Sequence, residues 1–207
     1  MTGEFSIQHS AFSIQVKREI RAQARDRRRR QVDKDGLSRQ ICHTLAALPE
    51  YAHAGTVMLY VDLGSEVRTR QFLPTARNDG KRVVVPYCVG EQLGLFCLES
   101  IDELAPGTLG LLEPKAELRG RADRQADVSW LDLIVVPGVA FDCRGGRLGQ
   151  GKGYYDRLLR QVRPDATLVG LAFECQLCAE IPMLPHDVHM HKVISEKAVY
   201  EATSCGG

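Results

Sequence analysis

The sequence predicts an α/β protein built on a three-layer, mostly parallel sheet. Apolar segments of strand length alternate along the chain with segments whose apolar residues recur at helical spacing. Leu133–Val136 is apolar at every position, which is typical of a strand covered by helices on both faces. The length of 207 residues suits one such domain, and no repeat of fixed period divides it.

Four helices are predicted from the spacing of apolar residues. The first has Val16, Ile20 and Ala24 on one face, and neither Gly nor Pro interrupts it. The second ends before Pro49, and the third contains Pro74 as an irregularity before an Asn-Asp-Gly turn stops it. These helices cover residues 15–31, 37–48, 67–77 and 154–162.

Six strands are predicted from short apolar runs bounded by turn residues. The segment 102–127 is polar and rich in Gly and Pro, so we expect a connecting excursion there rather than part of the sheet. The predicted strands cover residues 56–61, 82–86, 93–98, 133–136, 167–173 and 192–194.

Composition and charge exclude several classes of protein. A hydrophobic fraction of 44% and a charged fraction of 26% are those of a globular domain, and no apolar run approaches membrane-spanning length. The 27 basic and 26 acidic residues nearly balance, which argues against a dedicated nucleic-acid binder. The N-terminus lacks the pattern of a secretory signal, so the seven scattered cysteines predict reduced thiols in a cytoplasmic protein.

The segment 133–157 carries the strongest chemical signal. A predicted strand leads into a loop with five glycines between residues 145 and 153, and the loop opens a predicted helix. Glycines let backbone amides converge on an anion, and Arg147 and Lys152 add positive charge. This pattern predicts a phosphate-binding loop. A tight turn is the alternative, although a turn needs neither five glycines nor two cations.

One detail bears on a metal ion. Residues Gly146 to Lys152 satisfy the G-x4-G-K body of a P-loop, but Gly153 stands where a P-loop has the Ser or Thr that holds Mg²⁺. Asp156 is the nearest acidic residue, and carboxylates suit Mg²⁺. An exposed carboxylate at a helix start is the equally weighted alternative for Asp156.

The stretch from Pro137 to Asp156 resembles the signature of the 5-formyltetrahydrofolate cyclo-ligase family, also called methenyltetrahydrofolate synthetases. Three further segments resemble the family in the same order along the chain: Lys17-Arg-Glu-Ile-Arg21, Glu66-Val-Arg-Thr69 and Gly110-Leu-Leu-Glu-Pro114. The likeness covers roughly residues 15–200. It implies the fold shared with ribose-5-phosphate isomerase and CoA-transferase-like proteins. Domain organisation would then be a tail of residues 1–14, which can be disordered, and a single catalytic domain over residues 15–200.

The resemblance also implies the reaction and its participants. The family converts 5-formyltetrahydrofolate into 5,10-methenyltetrahydrofolate with ATP as co-substrate and Mg²⁺ as cofactor, releasing ADP and phosphate. Arg147 and Lys152 would be catalytic, stabilising the transferred phosphoryl group, and Asp156 would bind the metal. Val61, Glu66, Gln150 and Tyr154 would contact the folate. The implied ATP-binding residues are Lys17, Arg18, Arg21, Arg147, Leu148, Gly149, Gln150, Gly151, Lys152, Gly153, Tyr154 and Tyr155.

The chain departs from the family pattern near its C-terminus. Family members often carry an acidic metal ligand where this chain has His191. Imidazole is a poor ligand for Mg²⁺, so Mg²⁺ would rest on Asp156, water and phosphate, or Asp187 would substitute. We do not assign His191 to the metal.

Two other clusters favour structural interpretations. The run Arg27–Arg30 is expected to be a solvated helix end rather than a grip for RNA; a contact to anionic folate tails is a third option that the sequence does not test. Cys175 and Cys178, followed by His186, His189 and His191, suggest zinc only weakly, because the spacing leaves little room for a zinc-finger fold.

Two alternatives to the ligase remain open. A phosphate-ester enzyme on the same fold, such as a sugar-phosphate isomerase, would need the glycine loop but not ATP. A catalytically silent relative would bind folate or RNA without turnover. For the ligase we expect small-molecule partners only, neither nucleic acid nor membrane, and a monomer rather than an obligate oligomer.

Overall fold

The computed structural model describes residues 3–107, 110–184 and 187–202, and for residues 3–12 the backbone alone. Its strands are β1 (Thr56–Met58), β2 (Arg82–Val89), β3 (Gln92–Leu98), β4 (Leu104–Pro106), β5 (Leu112–Pro114), β6 (Leu133–Val136), β7 (Ala140–Asp142), β8 (Arg147–Leu148), β9 (Thr167–Leu171), β10 (Leu177–Cys178), β11 (Lys192–Ile194) and β12 (Val199–Glu201). Its α-helices are α1 (Gly3–Arg30), α2 (Lys34–Ala46), α3 (Pro49–His53), α4 (Leu73–Asn78), α5 (Ala116–Arg119) and α6 (Tyr154–Leu159).

The predicted mostly parallel sheet is confirmed. Seven strands pair in the order β12-β11-β9-β6-β1-β2-β3. The five inner strands are parallel to one another, and the antiparallel strands β12 and β3 form the two edges. In such a sheet the carboxyl ends of the parallel strands all lie at the same end of the strands, and open α/β proteins bind their ligands there.

Both faces of the sheet are covered, as the apolar strands predict. Alternate residues of β6 pack on opposite sides: Leu133 and Val135 join a core with α2, α3 and α4, while Ile134 and Val136 join a core with α6. A third, smaller core lies under α1, where Ala24 packs against a separate sheet of order β10-β7-β8. The first helix is thereby held against the segment that carries the glycines.

Several predicted boundaries differ from the structure. The first helix begins at Gly3 instead of residue 15, and α6 ends at Leu159 instead of residue 162, although Val162 still packs against the same core. Pro74 does not interrupt a helix; it stands in the first turn of α4, where its missing amide costs nothing. The excursion 102–127 contains the antiparallel pair β4–β5.

No helix among the described residues combines the length and apolar character needed to cross a membrane. The proposed division into a tail over residues 1–14 and one domain over residues 15–200 stays a prediction.

Candidate active site

A cleft of about 910 Å³ lies at the carboxyl ends of the parallel strands. Its walls are the segments that follow β1 and β6, the end of β2, and the loop that leads into α6, while α1 closes one side. The charges that line it are unequal. Six basic side chains face three acidic ones: Lys17, Arg21, Arg147, Lys152, Arg157 and Arg160 against Glu66, Asp156 and Asp187.

Most residues predicted for the site line this cleft. They are Lys17, Arg21, Val61, Glu66 and every residue from Arg147 to Asp156. Arg18 is the exception, because its side chain is exposed on α1 and lies outside the lining. Lining a cleft puts a side chain within reach of a ligand, and the individual roles stay predictions.

The glycine-rich stretch divides into two parts with different structures. In the first, β7 and β8 pair as a short hairpin, here called the glycine hairpin (residues 140–148), whose turn holds Gly145 and Gly146. A Cβ atom at Gly145 would overlap the carbonyl oxygen of Met190, and one at Gly146 would overlap the carboxylate of Asp142. Close packing therefore explains these two glycines.

Asp142 fastens the turn of the glycine hairpin. Its buried carboxylate accepts backbone hydrogen bonds from Arg144 at 2.9 Å, from Gly146 at 2.8 Å and from Ile181 at 2.8 Å. The prediction of one phosphate loop containing all five glycines is therefore wrong for Gly145 and Gly146, to which the tight-turn alternative applies. The P-loop likeness fails for the same reason, since its first glycine lies in this turn.

The second part, here called the glycine loop (residues 149–153), borders the cleft. Gly151 and Gly153 have positive φ angles of 98° and 69°, which other residues adopt only with strain. Space beside Gly151 is open, with the guanidinium of Arg21 the nearest group. Lys152 is exposed at the tip of the loop. The prediction of an anion-binding loop therefore still applies to the glycine loop.

Arg147 joins the two parts at the floor of the cleft. Its side chain is buried, with one terminal nitrogen donating to the carbonyl of Pro137 at 3.1 Å and the other paired with Asp156 Oδ1 at 2.6 Å. Its guanidinium also lies 5.7 Å from the centre of the Tyr155 ring. Nε is buried and has no acceptor among the described residues, so its hydrogen-bonding capacity is unsatisfied in this structure.

Tyr154 and Arg157 attach the start of α6 to the turn between β2 and β3. The Tyr154 hydroxyl donates to the carbonyl of Gly90 at 3.0 Å, and Arg157 donates to the carbonyls of Glu91 and Lys152. The Arg157 guanidinium lies 5.3 Å from the Tyr154 ring centre, over one face of the ring. A flat ligand ring could stack only on the other face.

Helix α1 braces the opposite side of the glycine loop. Arg21 Nε donates to the carbonyl of Gly149 at 2.9 Å, and Arg25 donates to Gln150 Oε1 at 2.6 Å. Burial, with repulsion from Arg25, lowers the pKa of Arg21 from its usual value. Lys17 forms an ion pair with Asp187 at 2.7 Å, which ties the helix to the C-terminal segment.

Glu66 lies on the wall that follows β1, close to Val61 and opposite the glycine loop. Its Oε2 accepts a hydrogen bond from the amide of Leu63 at 3.1 Å. Burial raises the pKa of Glu66, while the Leu63 amide and Arg28 act in the opposite direction. Burial also raises the pKa of Tyr155 on the cleft floor.

Sequence reasoning missed the buried position of Arg28 and the contacts of Arg157. The expectation of a solvated arginine run is wrong for Arg28, whose side chain is buried and hydrogen-bonded. A signal was present: Lys17, Arg21, Ala24 and Arg28 recur at helical spacing, and all of them face inward. Nothing local to Arg157 distinguishes it from a surface arginine.

A magnesium site at the cleft would have to rest on one or two carboxylates, and both Asp156 and Asp187 line the cleft. Among the described residues, no three His, Cys, Asp or Glu side chains converge to hold a metal ion. Mg²⁺ commonly takes one or two protein carboxylates and completes its shell with phosphate oxygens and water. Asp156 can serve in this way when a nucleotide supplies the other oxygens, although it is paired with Arg147 in this structure.

The cysteines and histidines near the C-terminus have other contacts. His191 Nδ1 accepts a hydrogen bond from the amide of Leu168 at 2.9 Å, and burial lowers the pKa of this imidazole. Cys178 Sγ lies 3.4 Å from the carbonyl oxygen of Phe141. His186 lies outside the described residues.

Comparison with known proteins identifies relatives of one kind. The family model described as the 5-formyltetrahydrofolate cyclo-ligase family matches residues 13–196. A probable 5-formyltetrahydrofolate cyclo-ligase of Schizosaccharomyces pombe is 34% identical over 80% of this chain and 86% of its own length. The 5-formyltetrahydrofolate cyclo-ligase of Escherichia coli K12 is 31% identical over 80% of this chain and 91% of its own length.

Solved structures give the same result. The 5,10-methenyltetrahydrofolate synthetase of Aquifex aeolicus superposes with a TM-score of 0.78 and 30% identity, covering 93% of this chain and 95% of that one. The synthetase of Mycoplasma pneumoniae, at 23% identity and a TM-score of 0.69, shares the fold over 87% of this chain. The sequence match over most of the chain and this shared architecture place the protein in the 5-formyltetrahydrofolate cyclo-ligase family.

Proposed function

We propose that this chain catalyses the ATP-dependent cyclisation of 5-formyltetrahydrofolate to 5,10-methenyltetrahydrofolate, with release of ADP and phosphate. One observation carries the proposal: a single cleft combines an excess of basic side chains around a glycine loop with a wall formed by Val61 and the partly buried Glu66. The basic part of the cleft suits a triphosphate, and the wall with Val61 and Glu66 suits a flat heterocycle with hydrogen-bond donors.

The nucleotide would lie between α1 and the glycine loop. Lys17 and Arg21 reach this space from α1, and the residues from Arg147 to Tyr155 border it from the other side. Arg147 lines the cleft beside this space, and the exposed Lys152 can extend towards the phosphates. Arg18 would contribute only through long-range charge, since its side chain lies outside the lining.

In the proposed reaction the formyl oxygen attacks the γ-phosphorus of ATP, and the bond to the leaving ADP oxygen breaks. N10 of the folate then attacks the activated formyl carbon, loses its proton, and phosphate departs as the ring closes. Phosphoryl transfer of this kind depends on alignment and charge neutralisation more than on a strong base. Arg147 and Lys152 are the side chains placed to neutralise the transferred group.

Asp156 is the residue that would hold Mg²⁺ together with phosphate oxygens. The bound ion would neutralise charge on the triphosphate. For Asp156 to do so, Arg147 has to exchange its pairing with the carboxylate for a pairing with phosphate, and its terminal nitrogens are close enough to both cleft walls to allow this.

We also propose that the protein works in the cytoplasm as a monomer on these small molecules, without nucleic acid or membrane. The nearly balanced charge of the chain supports the absence of a nucleic-acid partner. The molar mass of the purified protein, measured by sedimentation at the concentration used in the assay, tests whether it is a monomer.

A spectrophotometric assay tests the proposed function. Purified protein is mixed with 5-formyltetrahydrofolate, Mg²⁺ and ATP, and the methenyltetrahydrofolate chromophore is followed, with ATP omitted from the control. We expect a rise that requires ATP. A rise that does not require ATP would contradict the proposed ligase, and folate binding without any rise would favour a silent relative.

A further inference from the structure

Arg28 occupies a position that the reaction proposed above does not explain. It lies near the end of α1, in a run of four arginines, yet only 6% of its surface is exposed, while Arg27, Arg29 and Arg30 are exposed. Burying a guanidinium is costly unless it is paired and hydrogen-bonded. Its partners should therefore indicate what it does.

Those partners belong to two different walls of the cleft. Arg28 Nε donates to Ser65 Oγ at 3.0 Å, in the segment after β1, and a terminal nitrogen donates to the carbonyl of Gly138 at 3.2 Å, in the segment after β6. The same terminal nitrogen lies 4.0 Å from Glu66 Oε1. One planar side chain thus connects both segments to Glu66, which suits the fixed fork of arginine better than the single ammonium of lysine.

Among the described residues, Arg28 is the one cation within 4.0 Å of the Glu66 carboxylate, although Arg25 and Arg29 line the same small pocket. Glu66 Oε2 is held by the Leu63 amide, and the other groups that interact with the carboxylate are Asp62 on the same loop, Tyr60 from the end of β1 and Tyr155 from α6. Burial and Asp62 raise the pKa of Glu66, and Arg28 opposes them. Without Arg28, the carboxyl group would become protonated at a higher pH.

We propose that Arg28 is a positioning residue for the folate half of the cleft, holding Glu66 ionised and oriented by bridging the segments after β1 and β6. The inference rests on the proposed function, since it assumes that Glu66 accepts hydrogen bonds from the heterocycle of the substrate. Arg28 itself does not touch the substrate.

The fold has a means of tolerating the loss of Arg28, which makes the proposal testable. The Gly138 carbonyl also accepts a hydrogen bond from Gln176 at 3.0 Å, so this acceptor stays satisfied in a variant. Ser65 is partly exposed, so water can replace the guanidinium there.

The experiment compares Arg28→Met and Arg28→Lys with Arg30→Met, which removes the same charge from an exposed arginine of the same helix. The pKa of Glu66 is followed by NMR of ¹³C-labelled glutamate, with Glu66→Gln for assignment. Binding of 5-formyltetrahydrofolate and of ATP is measured by calorimetry across pH. Folding of each variant is checked by thermal unfolding.

In Arg28→Met we expect a higher pKa for Glu66 and folate binding about tenfold weaker, the size of one lost charge-assisted interaction. Because an ionised carboxylate accepts stronger hydrogen bonds than a protonated carboxyl group, folate binding should weaken, as the pH falls, at a higher pH than in the wild type. ATP binding should change by less than about twofold, within the scatter of a distant surface change. Arg28→Lys should keep the pH dependence and bind folate more weakly, and Arg30→Met should match the wild type.

An unchanged Glu66 pKa in folded Arg28→Met would overturn the proposal. If Arg28→Met does not fold, Arg28→Lys decides: weaker folate binding with unchanged ATP binding supports the proposal, and wild-type folate binding overturns it. The Glu66 titration does not require turnover. A wild type without ATP-dependent turnover would therefore overturn the proposed function and leave the NMR result to decide the role of Arg28.

Discussion

The glycine hairpin and the glycine loop are neighbours in sequence, but glycine serves opposite purposes in them. In the hairpin, Gly145 and Gly146 have no side chain because Met190 and Asp142 occupy the space where a Cβ would lie. In the loop, Gly151 has open space around it and is strained only in its backbone conformation. The hairpin therefore contributes stability, whereas the loop presents an open, cationic rim to a ligand.

Arg147 lies at the junction and depends on both parts. Its backbone belongs to β8 of the hairpin, while its side chain lines the cleft beside Asp156. A rigid support beneath an adaptable rim is what a phosphoryl-transfer site needs, because the clamp must be aligned before the reaction and the rim must admit the nucleotide. Variants in the hairpin should therefore lower mainly the stability of the fold, and variants in the loop should lower mainly turnover or nucleotide binding.

The largest effect is expected from Gly145→Ala in the hairpin. The added methyl group would overlap the Met190 carbonyl at a residue whose φ is 83°, so we expect a loss of at least about 3 kcal/mol in the free energy of unfolding. Denaturant unfolding measures it. Gly120→Ala is the matched control, since that glycine has negative φ and open surroundings. Equal stability of the two variants would contradict the packing explanation.

Next in size is Lys152→Ala in the loop. Turnover should fall at least about a hundredfold, equivalent to about 2.7 kcal/mol, because a phosphoryl clamp would be lost. The unfolding midpoint should stay that of the wild type, since Lys152 is exposed. Lys197→Ala, at another exposed lysine, controls for the change in net charge. Wild-type turnover in folded Lys152→Ala would show that Lys152 of the glycine loop does not act in the reaction.

Asp142→Asn should weaken the hairpin by about 2 kcal/mol. The amide can accept for the Arg144 and Gly146 backbone groups, but it presents a donor to the Ile181 amide and leaves that buried group unpaired. Thermal unfolding measures the loss. Turnover per folded molecule should fall far less than in Lys152→Ala, and a hundredfold fall would mean that the hairpin acts in catalysis directly.

The smallest effect is expected from Gly151→Ala. Because only the positive φ is strained, unfolding should become easier by about 1 kcal/mol. The methyl group would stiffen the rim near Arg21, so we expect a higher KM for ATP with little change in the KM for folate. Steady-state kinetics with each substrate varied in turn will separate the two. A change confined to the KM for folate would contradict the placement of the nucleotide at the glycine loop.

The sequence predicted the parts of this molecule that depend on local pattern. Continuous apolar runs such as Leu133–Val136 identified the inner strands, and helical spacing identified α1 and α2. The antiparallel edge strand β12 and the glycine hairpin were missed because two- and three-residue strands leave no periodic signal. Which glycines face a ligand depends on Met190, a residue distant in sequence that no local pattern could reveal.

In the candidate site too, the residues of one local motif were easier to predict than those whose positions depend on the rest of the fold. Residues clustered in one motif, from Arg147 to Asp156, line the cleft as predicted. Arg28 was misjudged because four successive arginines look alike in composition; its helical spacing from Lys17 and Arg21 indicated an inward position, and the contacts with Ser65 and Gly138 show it. The exposed position of Arg18, one residue after the buried Lys17, shows how a helix separates neighbours in a sequence motif.

The most direct measurement is ATP-dependent methenyltetrahydrofolate formation per folded molecule for Lys152→Ala and Asp142→Asn, with their unfolding midpoints taken in the same buffer. We predict opposite outcomes: Lys152→Ala loses turnover and keeps its stability, and Asp142→Asn loses stability and keeps most of its turnover. Variants that lose turnover and stability in equal proportion would contradict the division of the glycine-rich segment into a support and a binding loop.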